Sequence, residues 1–178
     1  IYKKIPIELS DNSPKGVLFS ISELTQKLAE YYSQSKPDLI VILGDRYELL
    51  AVGQTATLLQ IPIAHIHGGE STEGLIDESI RHAITKMSHL HFASAEIYRK
   101  RIIQMGENPE SVFNSGAPGI DNILNLKYLN SDELEKKLNV KFKDTLLLVT
   151  YHPVTLSGEK DYKSTDELMK ALEEFKDS

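Results

Sequence analysis

The sequence predicts an α/β protein built on a doubly wound parallel sheet, and three observations predict it. Short apolar runs, Leu39–Leu43, Ile63–Ile66, His89–Ala93 and Val112–Asn114, alternate with helix-like stretches. These runs begin about 24 residues apart, the length of one strand, one helix and two short loops. They are apolar throughout rather than alternating, which suits parallel strands covered on both faces.

Each element has its own signal. A helix is expected over Leu18–Tyr32 and is stopped by Pro37-Asp38 before the first strand, Leu39–Leu43. Gly44 closes that strand and Tyr47–Leu59 follows as a helix. Strand Ile63–Ile66 leads to helix Glu78–Met87, whose apolar side is Ile80, Ala83, Ile84 and Met87. Strand His89–Ala93 leads to helix Glu96–Met105, which Asn108-Pro109 separates from strand Val112–Asn114. Gly116, Pro118 and Gly119 then mark a turn before a helix over Asp121–Leu126. The polar, Lys-rich segment Leu129–Asp144 contains a helix at Asp132–Leu138 and is suited to bridging two domains. A strand at Leu146–Thr150 and a helix at Thr165–Phe175, apolar along Leu168, Ala171, Leu172 and Phe175, are expected beyond it. Residues 1–143 therefore read as an incomplete N-terminal Rossmann-like domain, and 144–178 as the truncated beginning of a second. A start at Ile1 and a stop just after an amphipathic stretch fit a piece of a longer protein.

Composition narrows the function. The 178 residues are 40% hydrophobic and 26% charged, enough for a buried core, with a formal net charge of −6. That balance argues against nucleic acid or an anionic membrane as the main partner, so an anionic substrate needs locally concentrated positive groups. No apolar run approaches the roughly 18 residues that a bilayer requires, and no signal peptide is evident. The lack of Cys removes disulfides and thiolate metal sites and agrees with a reducing cytoplasm.

Open parallel sheets bind ligands beyond the carboxyl ends of their strands. Read as one surface, those ends carry Gly44-Asp45-Arg46, His67-Gly68-Gly69-Glu70, Ser94, Ser115-Gly116 and His152-Pro153. Asp45 is either a helix cap or a carboxylate held rigidly at a cleft, with Arg46 available for phosphate. Gly68-Gly69 lets the backbone approach a ligand closely, and the following segment carries the acids Glu70, Glu73, Asp77 and Glu78. On a helix, Asp77 faces Arg81 and Glu78 faces His82 at i,i+4 spacing. Two HxH pairs, His65/His67 and His89/His91, have a geometry that zinc accepts. No third ligand follows at metal spacing, so the reading is sheet-edge histidines and no metal.

These segments carry a resemblance. Leu43-Gly44-Asp45-Arg46-Tyr47-Glu48, His65-Ile66-His67-Gly68-Gly69-Glu70 and the run from Ile76 to Lys86 resemble the hydrolysing UDP-N-acetylglucosamine 2-epimerases of bacterial sialic-acid synthesis. Ser115-Gly116-Ala117-Pro118 and His152-Pro153-Val154-Thr155 match later family segments, so the similarity runs from about Lys36 to Thr155. The resemblance implies the N-terminal half of a glycosyltransferase-B-type two-domain fold and a reaction yielding N-acetylmannosamine and UDP through a glycal. It implies a UDP-sugar as partner, no cofactor, and room for a homo-oligomer. Asp45 and Asp77 match family acids implicated in catalysis, while Arg46 and His152 match groups on the UDP phosphates. Arg81, His82, Ser115 and Gly116 fall in matched segments expected to bind substrate. His67 stands where many members carry Glu, so the acid–base role falls to His67 or to Glu70. Family segments expected at the N-terminus and around uridine have no counterpart in the sequence, and the chain alone is expected to be inactive. Three alternatives remain open: the same reaction on a UDP-2,4-diacetamido-trideoxyhexose, a metal-dependent hydrolase using the HxH pairs, and a noncatalytic nucleotide-sugar-binding domain.

Overall fold

A computed structural model describes residues 3–8, 13–72, 75–143, 145–152 and 160–175. They form two compact units, Ile1–Ile120 and Asp121–Ser178. The first holds a four-stranded parallel sheet of strands β1 (Ile40–Leu43), β2 (Ile63–Ile66), β3 (Leu90–Ala93) and β4 (Val112–Asn114), hydrogen-bonded in the order β1-β2-β3-β4. Helices α1 (Pro14–Ser35), α2 (Tyr47–Leu58), α3 (Ile76–Met87) and α4 (Glu96–Gln104) alternate with the strands.

Helix α1 begins four residues before the apolar periodicity does. Ser13 Oγ accepts from Gly16 N at 3.1 Å and Pro14 opens the first turn, so the cap sets the start. At the other end Lys36 takes a left-handed conformation and its N–H returns to the Tyr32 carbonyl before Pro37.

Ile40, Ile42, Ile63, Ile80, Ile84 and Ala56 close the main core between β1, β2, α2 and α3. Ile63 and Ile84 are fully buried, each worth roughly 1.5–3 kcal/mol of burial. Ala93, Ile102 and Val112 seat α4 on β3 and β4. A consecutive strand order with one crossover hand sends every helix to the same face. Side chains of the opposite face alternate with the core set, and there Val41 is 62% exposed and Leu43 58% exposed. Phe92 and Phe113 stack on that same face, their ring centroids 5.5 Å apart.

The second unit is helical among the described residues: α5 (Pro118–Asn125, which begins at the unit boundary), α6 (Ser131–Leu138) and α7 (Lys160–Glu173). Asn130 and Glu133 cap α6 reciprocally, which is why it forms without a buried face. The strand expected at Leu146–Thr150 is absent, and Leu148 is 96% exposed. An apolar run becomes a strand only when a neighbour accepts its backbone hydrogen bonds, and none among the described residues does.

Candidate active site at the strand ends

The backbone ladder runs one residue past three of the strands. Gly44 N donates to Ile66 O at 3.0 Å, His67 N to Phe92 O at 3.0 Å, and Ser115 N to Ala93 O at 3.0 Å. The residue opening each loop is thus fixed by the neighbouring strand, and the side chains that follow start from rigid points.

Two side-chain groups grow from these points. His67 Nδ1 lies 2.6 Å from Glu70 Oε1, and Ser94 Oγ donates to the same oxygen at 2.5 Å. Burial alone would raise the Glu70 carboxyl, but the Ser94 hydroxyl and His67 together hold it below the ordinary carboxylate range. An ionised carboxylate only accepts, so neutral His67 carries its proton on Nδ1 and leaves a lone pair on Nε2. His67 adopts a left-handed φ of 66°, a conformation that costs an L-residue roughly 1–2 kcal/mol.

The second group centres on Arg81, whose side chain is only 6% exposed. Its Nη2 pairs with Asp45 Oδ2 and donates to Thr72 Oγ1 at 3.1 Å. Its Nη1 is buried and has no partner among the described residues. The Arg81 charge also helps to lower Glu70. The pairing of Asp77 with Arg81 expected from i,i+4 spacing does not form. Arg81 is buried and reaches across to the β1 end, while Asp77 in the first turn of α3 makes no hydrogen bond or ion pair among the described residues.

Other predicted residues are spread more widely. Glu78 Oε1 lies 3.7 Å from His82 Nε2, as the spacing suggests, and Glu78 also accepts from Thr72 N at 2.7 Å. Arg46 is exposed and forks onto Glu48 at 3.1 and 3.2 Å. Ser115 and Gly116 follow β4 and make no hydrogen bond to the His67 or Arg81 groups among the described residues. His152 is exposed in the second unit. Glu73 and Pro153–Thr155 lie outside the described residues.

The glycine pair serves the protein itself. A Cβ on Gly69, where φ is +73°, would sit 2.5 Å from Ile102 Cγ1 and 2.8 Å from the Tyr98 carbonyl oxygen. A Cβ on Gly68 would meet His65 Nδ1 at 2.9 Å. Arg101 Nη1 then donates to Gly69 O at 2.5 Å, so α4 clamps the loop bearing His67 and Glu70.

The HxH histidines are not at a sheet edge. His65 and His91 are fully buried neighbours across β2 and β3. His65 Nε2 donates to Gly44 O at 2.8 Å, and burial pushes its pKa down to about 4. His91 Nε2 lies 3.3 Å from Glu107 Oε2, and burial lowers its pKa as well. His89 Nδ1 accepts from Ile63 N at 3.3 Å. Among the described residues no group of three His, Cys, Asp or Glu side chains is placed to hold a metal ion.

Sequence reasoning leaves Thr72 and Arg101 out of the site and puts Ser94 on the strand-end surface without a role. Ser94 directly follows β3, so the strand-end rule already pointed at it. Thr72 and Arg101 carry no comparable signal, because their roles depend on how the loop folds back.

Sheet and site together define an α/β protein whose acid, imidazole and guanidinium groups gather at the carboxyl ends of adjacent parallel strands. The chain belongs to the UDP-N-acetylglucosamine 2-epimerase family, whose model matches residues 1–178. It is 45% identical over 178 residues to a hydrolysing GDP/UDP-N,N'-diacetylbacillosamine 2-epimerase of Campylobacter jejuni, covering 100% of this chain and 46% of the relative. It is 42% identical to a polysialic acid biosynthesis protein of Escherichia coli, covering 100% of this chain and 45% of that protein. The chain thus spans about half the length of the curated relatives it matches. The crystal structure of the Neisseria meningitidis UDP-GlcNAc 2-epimerase bound to UDP-GlcNAc matches 61% of this chain and 30% of its own, with TM-score 0.58 and 22% identity. That likeness establishes the Rossmann-like fold.

Proposed function

We propose that the complete protein is a hydrolysing 2-epimerase of a UDP-linked 2-acetamido sugar, converting UDP-N-acetylglucosamine to N-acetylmannosamine and UDP. The observation that carries this reading is the His67–Glu70 pair beside the Asp45–Arg81 pair at the ends of neighbouring strands. Inversion at C2 requires a proton to leave one face and return on the other, so two proton-carrying groups are needed. Neutral His67, with its proton held on Nδ1 by Glu70, presents Nε2 as the base for C2–H. The C2–H electron pair forms the C1–C2 double bond, and the C1–O pair departs with UDP. Water then adds to the glycal, hydroxyl at C1 and proton at C2, and Asp45 is the second proton-carrying group. The Arg81 guanidinium, paired with Asp45, supplies positive charge at the strand ends that favours charge developing on the leaving phosphate. Roles for Asp77, Arg46, Ser115, Gly116 and His152 rest on the family resemblance, as does the reading of residues 144–178 as the opening of a second Rossmann-like domain.

A second substrate is favoured by one finding, the 45% identity to a relative named for N,N'-diacetylbacillosamine. The chemistry at C1 and C2 is the same, and the changes lie at C4 and C6. Incubating the complete protein with each UDP-sugar and following UDP and the released sugar tests both. The expected result is UDP with the 2-epimerised free sugar from at least one donor, with kcat falling by about 10² or more in Asp45→Asn. UDP release from neither donor, or undiminished turnover in Asp45→Asn, rejects the proposal.

A further inference from the structure

We propose that Ser94 is a positioning residue for the reaction, acting through Glu70 to fix the tautomer and aim of His67; this rests on the epimerase reading above. Ser94 and His67 converge on a single carboxylate oxygen, Glu70 Oε1, at 2.5 and 2.6 Å. They reach it from different elements. Ser94 follows β3, while His67 and Glu70 belong to the loop after β2. The hydroxyl is therefore a cross-strand tie on a carboxylate that the His67 loop would otherwise hold alone.

The tie matters because a carboxylate held by His67 alone keeps a broad terminal torsion and can swing its Oε1 away from the ring. The Ser94 bond opposes that swing, and it cannot transfer a proton usefully itself because a hydroxyl pKa is far above neutral. Free neutral imidazole prefers its proton on Nε2. Only a fixed acceptor at Nδ1 reverses the preference and exposes Nε2 as the base. Among the described residues, nothing else accepts a hydrogen bond from Nδ1, and Nε2 has no hydrogen-bond partner. Among the described residues, the charge outside this pair that acts on Glu70 is that of Arg81 from α3. Arg101 from α4 binds the Gly69 carbonyl of the same loop and so holds the backbone rather than the dyad.

The test uses the complete protein with Ser94→Ala and Ser94→Thr, the second keeping the hydroxyl. Imidazole ¹⁵N spectra at alkaline pH, assigned with His67→Gln, read the tautomer without any substrate. The wild type and Ser94→Thr are expected to show His67 protonated on Nδ1, and Ser94→Ala to move toward the Nε2-protonated form. In turnover, Ser94→Ala is expected to lose about tenfold in kcat with KM changed less than about twofold, and Ser94→Thr to recover most of the loss. An Nδ1-protonated His67 in Ser94→Ala overturns the proposal, as does a tautomer change with kcat intact. Absence of wild-type turnover on any UDP-sugar sinks the epimerase reading instead, while the ring spectra still decide whether Ser94 sets the tautomer.

Discussion

At the scale of single residues, His67 combines three features that rarely coincide in a structural histidine. Its backbone is left-handed, its Nδ1 is held by a carboxylate, and its ring is partly open to solvent. Strained conformations persist where surrounding contacts over-determine them, and the α4 clamp on Gly69 supplies such contacts. Arg81 is the other decisive residue. Replacing it with Met removes the partner of Asp45 and leaves that carboxylate without its buried cation, so Arg81→Met should cost about 1–3 kcal/mol of stability. Because Asp45 is then no longer aimed, kcat should fall by roughly 10². Urea titration and steady-state kinetics on the same preparation check both numbers, and a variant as active as wild type contradicts the pairing.

At the scale of elements, the strand ends organise everything. Four strand–helix repeats were legible because fully apolar runs at regular spacing, punctuated by Pro and Gly, leave little else for the chain to form. The positions of Asp45, His67 and Glu70 just beyond two neighbouring strands followed from the strand spacing alone. The Asp45–Arg81 pair was not legible, since helix spacing offers Arg81 a nearer acid in Asp77 and says nothing of a long side chain reaching across a buried face. The packing role of the glycine pair was illegible for a related reason. Sequence shows that a Cβ is missing but not what fills its place, and here α4 and His65 fill it. The run at Leu146–Thr150 shows the converse, apolar character without a strand partner. Gly69→Ala tests the clamp: a side chain there meets a backbone carbonyl at 2.8 Å in a left-handed conformation. It should destabilise the protein by about 2–4 kcal/mol. A melting temperature unchanged from wild type would show that the loop is not clamped.

At the scale of the whole molecule, the buried histidines make stability depend on pH. Unfolded His65 takes up its proton near pH 6.5, while folded His65 resists until about pH 4. In that window the unfolded chain binds more protons, so the contribution is complete above pH 6.5 and is lost as pH falls toward 4. His65 alone accounts for up to about 3 kcal/mol of that loss, and His91, also lowered, adds in the same direction. Denaturant midpoints should therefore drop between pH 7 and pH 5, and His65→Gln should flatten the dependence. A midpoint that stays level over this range would contradict the burial of both rings. Among the described residues no helix is long and apolar enough to cross a membrane.

On the proposed function, the strand-end groups take a proton from C2 of a UDP-sugar as UDP leaves and then return one to the opposite face. Turnover by the complete protein in D₂O, read by NMR of the released sugar, addresses it most directly. One deuterium at C2 of the 2-epimerised free sugar, with that product missing in His67→Gln, is the predicted result. A released sugar that keeps its original hydrogen and configuration at C2 would mean simple hydrolysis and would contradict the account.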